Sequence, residues 1–221
     1  MNEFVDIFSS SDPENISTSV QLLILLTVLS LAPGILILMT CFTRIIIVLS
    51  FVRTSLATQS MPPNQVLIGI ALFLTFFIMA PTLQEVNDQA LTPLFNEEIS
   101  LDEAYEEASA PFKEFMSKHT RQKDLALFMN YSEMERPENI QDIPLTTLVP
   151  AFAISELKTA FQMGFMIFVP FLVIDMAVAS VLMSMGMMML PPVMISLPFK
   201  ILLFVLVDGW YLITQSLLEG F

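Results

Sequence analysis

Apolar residues run in long blocks along this chain, parted by short polar breaks and one long acidic interval. Residues 20–52 form 33 nearly uninterrupted apolar positions. As one helix they would extend about 50 Å at ~1.5 Å per residue, well past the ~30 Å hydrocarbon core of a bilayer. A kink or break is therefore predicted near the middle, at Pro33-Gly34. Residues 53–64, RTSLATQSMPPN, are a polar interruption, and residues 65–80 return as an apolar helix expected to end at Ala80-Pro81. A second apolar half starts at Pro150, is expected to be interrupted at Pro170, and continues into MSMGMMMLPP at 183–192, where five of ten positions are methionine. Two successive prolines remove backbone donors and stop a helix, so Pro191-Pro192 marks a turn between two apolar helices, the second running toward Leu218.

The acidic interval predicts helices of its own. Ser100 followed by Glu103 is a capping-box pattern. Leu101, Ala104, Tyr105, Ala108, Phe112 and Phe115 then recur at 3- and 4-residue spacing, the stripe of an amphipathic helix that Pro111 is expected to bend or divide. A second short helix is predicted over Arg121–Ser132, with Leu125, Phe128 and Met129 on one face. The domain organisation is thus an acidic N-terminal segment (1–19), N-terminal apolar helices (20–83), an acidic helical insert (84–149) and a C-terminal apolar hairpin (150–221). The fold class is all-α: apolar helical hairpins of membrane-protein type with an acidic helical extramembrane insert.

Composition supports that class. Of 221 residues, 55% are hydrophobic and only 14% charged, and the mean hydropathy is +0.72; soluble domains carry about 25% charged residues. The net charge of −13 is concentrated in residues 81–150, with 14 acidic against 5 basic side chains, a local net of −9. Such a balance argues against nucleic-acid binding. The single Arg53 of the polar interruption places that loop on the cytoplasmic side by the positive-inside rule, which puts the N-terminus and the insert on the extracytoplasmic, periplasmic side. Residues 1–19 hold Glu3, Asp6, Asp12 and Glu14 and no Lys or Arg, the wrong charge for a secretory signal, so Val20 onward is expected to stay in the mature chain.

The chemistry of catalysis is missing. Cys41 is the only cysteine and His119 the only histidine, which excludes an intrachain disulfide and a cysteine- or histidine-built metal site. The acidic residues of the insert are too loosely spaced for calcium. No phosphate loop, dinucleotide fingerprint or nucleophile–base set is present, so neither an enzyme nor a cofactor is expected. What remains are ions in apolar surroundings. Arg44 either snorkels to a helix end or contacts a partner subunit. Glu156 and Lys158 are two apart and do not face one another on a helix; they lie at the membrane surface or each pairs with a neighbour. Asp175 and Lys200 lie equidistant from the methionine run. Folded as a hairpin, their helices carry the two charges at one level, so an Asp–Lys contact within or between subunits is expected, against the alternative that both reach water. Asp208 stands near the far interface, beside Trp210 and Tyr211 as belt aromatics. Methionine is soft and unbranched, and a cluster of it serves either as a deformable seal or as core filler.

Four long strings resemble the family of the flagellar biosynthetic protein FliP: PAFAISELKTAFQMGF (150–165), PFLVIDMAVASVLMSMGMMMLPP (170–192), CFTRIIIVLSFVRTSLATQSMPPNQVLIGIALFLTFFIMAP (41–81) and LPFKILLFVLVDGW (197–210). The resemblance runs from about Leu31 to Trp210. Its N-terminus departs from many relatives, which begin with a cleavable signal sequence.

The resemblance implies a core subunit of the flagellar type III export gate in the bacterial inner membrane, at the flagellar basal body. It implies a pentameric ring of this chain with FliQ-type and FliR-type subunits, other flagellar export components, membrane lipid around it, and unfolded flagellar proteins as substrates. Met187, Met188 and Met189 match the family's methionine loop, which implies a gasket that closes the pore. It further implies helical hairpins lifted largely above the bilayer, since subunit burial satisfies apolar surface as lipid does. The alternatives are an injectisome gate subunit of the same family and, in a different class, a stand-alone small-solute or ion transporter.

Overall fold

The computed structural model describes residues 13–58, 60–132, 139–187 and 190–221, with the backbone alone for residues 13–19, 28, 32 and 36. All regular structure among them is helical. The chain divides into two units, residues 1–38 and 39–221. The first holds α1 (Pro13–Leu38), a single helix that runs through Pro33. The expected break at Pro33-Gly34 does not occur. A lone proline removes one backbone hydrogen bond, and the remaining bonds of a long apolar helix carry it past that position. The chain leaves the helix instead at residues 39–41.

The second unit is built around α2 (Phe42–Ser55). Its Ile45, Val48, Leu49 and Val52 are buried at 3- and 4-residue spacing. They meet Leu67, Ala71 and Met79 of α3 (Asn64–Val86) and Ala160 and Phe171 of the helix that begins at Leu145. The helix α3 passes straight through Pro81 and widens into a π turn, Asn87–Leu91, before the short α4 (Thr92–Phe95). The sequence had it ending at Ala80-Pro81. Next come α5 (Leu101–His119) and α6 (Gln122–Tyr131). The capping box forms as expected: Ser100 accepts from the Glu103 amide while Glu103 accepts from the Ser100 amide at 2.8 Å. Pro111 is buried within an undivided α5.

Helix α7 (Leu145–Ser184) is the longest element, and neither Pro150 nor Pro170 interrupts it. It turns at the methionines into α8 (Pro192–Leu206), which is bent by 62° from α9 (Gly209–Glu219). Asp208 at the bend has φ 51°. A Cβ on Gly209 would stand 2.3 Å from the Phe204 ring, so only glycine lets that ring close over the bend.

Among the described residues two segments are long and apolar enough to cross a membrane, Asn64–Phe95 and Leu145–Ser184, and the bent pair α8–α9 makes a third if counted as one span. Only 22% and 11% of the most apolar windows of the first two is buried within the chain. Their surface is therefore left to lipid or to other subunits.

Candidate functional site

The site is the tip of the α7–α8 hairpin and the charges that hold its arms. Helix α7 ends in a Schellman motif: the Met187 amide donates to Leu182 O at 3.0 Å and the Gly186 amide to Met183 O at 3.0 Å. Gly186 takes φ +75°, which this cap requires. The helix therefore stops at Gly186, earlier than Pro191-Pro192. Those prolines start the next helix, Pro191 as its cap and Pro192 at its first position, where a missing N–H costs nothing. The Gly186 signal stood in the sequence and was overlooked beside the two prolines. Met183, Met185 and Met187 are all exposed at this end of the hairpin. Met188 and Met189 lie outside the described residues.

Below the tip, Lys200 Nζ of α8 lies 2.6 Å from Asp175 Oδ2 of α7. The ammonium also donates to Ser55 O at 3.2 Å, one of the carbonyls that the end of α2 leaves without an intrahelical donor. Ser196, one turn before Lys200 on α8, donates its hydroxyl to Asp175 Oδ1. Lys200 is 2% exposed, whereas the Asp175 side chain is 22% exposed. The cation is thus the more deeply buried ion, and it joins three helices.

A second charge centre lies beneath α2. Arg44 Nε donates to Glu156 Oε2 at 2.9 Å, and Arg44 Nη2 donates to Glu156 Oε1, a bidentate fork. The third arm, Nη1, donates to Gly220 O at 2.7 Å, and the guanidinium sits 3.8 Å from the Phe221 ring centroid. Arg44 is 4% exposed and Glu156 is fully buried. Arg44 was expected at a helix end or a partner contact, and Glu156 at the membrane surface or paired with a neighbour; the structure pairs the two with one another inside the chain. Desolvation explains it: once either ion is withdrawn from water, the other is its strongest available partner. Lys158 is exposed, two residues farther along α7.

A third network ties the insert to α7, and sequence reasoning missed it. Ser155 donates its hydroxyl to Asp124 Oδ2 at 2.6 Å and accepts from the Arg121 amide at 3.1 Å, while Arg121 Nη2 lies 2.5 Å from Asp124. Desolvation pushes the Asp124 carboxyl up, but the hydrogen bonds from Ser155 and Arg121 outweigh it and hold the group below its usual range. No single-sequence pattern joins residues 31 apart on different helices. Among the described residues no group of three or more His, Cys, Asp or Glu is placed to hold a metal ion.

The FliP family pattern matches residues 25–217, nearly the whole chain. This chain belongs to the FliP family. It is 81% identical, over the full length of both chains, to the flagellar biosynthetic protein FliP of Bacillus subtilis. It is 55% identical to the FliP of Pectobacterium carotovorum over 92% of this chain and 79% of that one. The FliP of Caulobacter vibrioides is also 55% identical, over 91% and 76%. As a FliP-family member, the protein carries its methionine run on a hairpin whose two arms are joined by an ion pair.

Proposed function

We propose that this protein is a pore-forming subunit of the flagellar protein-export channel, with the methionine tip sealing the channel when no substrate occupies it. The observation that carries the reading is the position of the methionines in a FliP-family chain. Met183, Met185 and Met187 stand exposed at the end of a hairpin whose arms are joined by Asp175–Lys200. In a ring of subunits, Met187, Met188 and Met189 from each copy form an apolar constriction. Apolar constrictions block ions by dewetting, and unbranched thioether side chains yield around a passing polypeptide. The largely uncovered apolar faces of α3 and α7 suit burial against further copies, FliQ-type and FliR-type subunits, and lipid of the bacterial inner membrane. The insert then lies on the periplasmic side of the basal body.

Replacing Met187–Met189 by alanine tests the seal. The expected result is leakage of small solutes through membranes holding the assembled complex, with the complex still recovered intact. A tight membrane with normal export would overturn the seal. Deleting the gene should abolish secretion of flagellar subunits and motility; solute flux by the purified chain alone would instead favour a stand-alone transporter.

A further inference from the structure

The insert bears an apolar patch that no described part of residues 39–221 covers. The π turn and α4 pack against the first half of α5, leaving a shallow groove lined by Ala90, Leu91, Leu94, Leu101, Asp102 and Tyr105. Phe95, Leu101 and Tyr105 are 79%, 74% and 67% exposed. Leu101 and Tyr105 are one turn apart on α5 and belong to the stripe that the sequence assigns to packing. The rest of that stripe is used: Ala104 is buried, and Phe112 and Phe115 pack against the hydrophobic cores. Its first turn is left over.

The surroundings distinguish this patch from the apolar faces of α3 and α7, where exposed charges are few, Glu85 on α3 and Lys158 on α7. Glu97, Glu98, Asp102 and Glu106 are all exposed around it, and none forms an ion pair with a described residue. Four carboxylates without an ion pair among the described residues repel anionic lipid and nucleic acid. A second copy of this chain would bring an interval of local net charge −9 against them. Exposed apolar surface within a charged field marks a contact with another protein, and the charges at its rim select which one.

We propose that this patch docks a segment of a different protein, apolar on one side and bearing Lys or Arg at its edges. The assignment does not depend on the methionine seal. Its test is a photoreactive phenylalanine derivative in place of Tyr105, in the full chain in its own membranes, with the crosslinked peptide sequenced. The expected product joins that position to another protein, at an apolar residue with Lys or Arg within about one helical turn. Its yield should fall roughly tenfold in D102K/E106K, since two exposed charge contacts are reversed. The milder D102N/E106Q should give an intermediate fall, and it replaces the reversal if that variant lowers the amount of chain. A crosslink to another copy, to lipid or to an acidic peptide, the absence of any crosslink, or a yield insensitive to both charge variants overturns the proposal.

Discussion

Arg44 and Glu156 stand 112 positions apart in the chain and form a buried bidentate pair that also closes on Gly220 and Phe221. One contact thus ties α2 to the middle of α7 and to the residues that follow α9. Taking one partner away leaves a charge in an apolar interior, which costs about 3–5 kcal/mol. Arg44→Met and Glu156→Gln are each expected to lower the melting temperature of the detergent-solubilised chain strongly. The double variant Arg44→Met/Glu156→Leu should recover most of that loss, because an apolar pair of similar volume leaves no charge unpaired. Equal losses in the single and double variants would show that the guanidinium acts through packing alone.

The Asp175–Lys200 pair predicts an asymmetry. Asp175→Asn leaves the Lys200 charge, 2% exposed, with neutral acceptors only and should cost about 3–5 kcal/mol. Lys200→Met leaves Asp175 with the Ser196 hydroxyl and partial access to water, so about 1–2 kcal/mol is expected. Proteolysis at the α7–α8 turn should rise more in the first variant than in the second. If each substitution leaves stability and complex recovery unchanged, the pair does not hold the hairpin.

Acid should loosen the insert in a defined window. His119 packs between Phe115 (4.9 Å) and Phe221 (5.0 Å). Desolvation, then the positive charges of Arg44 and Lys118, push its pKa from 6.5 to about 4. Glu85 of α3 and Glu114 of α5 line the same cleft but do not reverse the shift. Between these values the unfolded chain binds more protons than the folded one, so stability is full above about 6.5 and declines as pH falls toward 4. Glu103 and Asp124, whose carboxyls are held below their ordinary values of 4.5 and 3.8, add their own loss from the acid end of that window downward. The protection of α5 amides, taken from hydrogen exchange corrected for its base-catalysed intrinsic rate, should therefore fall from pH 7.5 to 4.5 in the native chain. In His119→Phe the change should be nearly absent until the carboxylates titrate. An identical pH profile in the two proteins would remove His119 from the account.

Phe51 of α2 packs directly on the backbone of α7 at Gly164. A Cβ there would lie 2.4 Å from Phe51 ring carbons and 3.0 Å from its Cβ, so the whole side chain must shift. Gly164→Ala is expected to destabilise the unit by about 1–3 kcal/mol despite the better helix propensity of alanine. Gly69, with nothing within 4 Å, is the control: Gly69→Ala should be neutral or slightly stabilising.

Local signals in the sequence translated well. The Ser100 cap, the second half of the α5 stripe, the face of α6 and the position of the methionine hairpin all follow from spacings of four residues or fewer. The opposition of Asp175 and Lys200 needed one further step, because a hairpin with a known turn assigns a level to every residue on its arms. The prolines misled. Pro33, Pro81 and Pro170 read as breaks, yet each sits inside a continuous helix. The penalty of one lost hydrogen bond is small beside the cost of opening a helix in surroundings without water.

By itself, then, the sequence determined an all-helical chain of membrane-type apolar segments, an acidic helical insert, a methionine turn and its FliP kinship. The first three depend on periodicity and on local backbone chemistry, which neighbouring residues encode, whereas the kinship rests on long strings shared with the family. Only the tertiary structure decided that Arg44 belongs to Glu156, that Asp124 belongs to Ser155, and that Leu101 and Tyr105 face outward while Phe112 and Phe115 face in. Such pairings arise when distant helices are brought to van der Waals contact, where desolvation makes each buried polar group take whichever partner the packing presents.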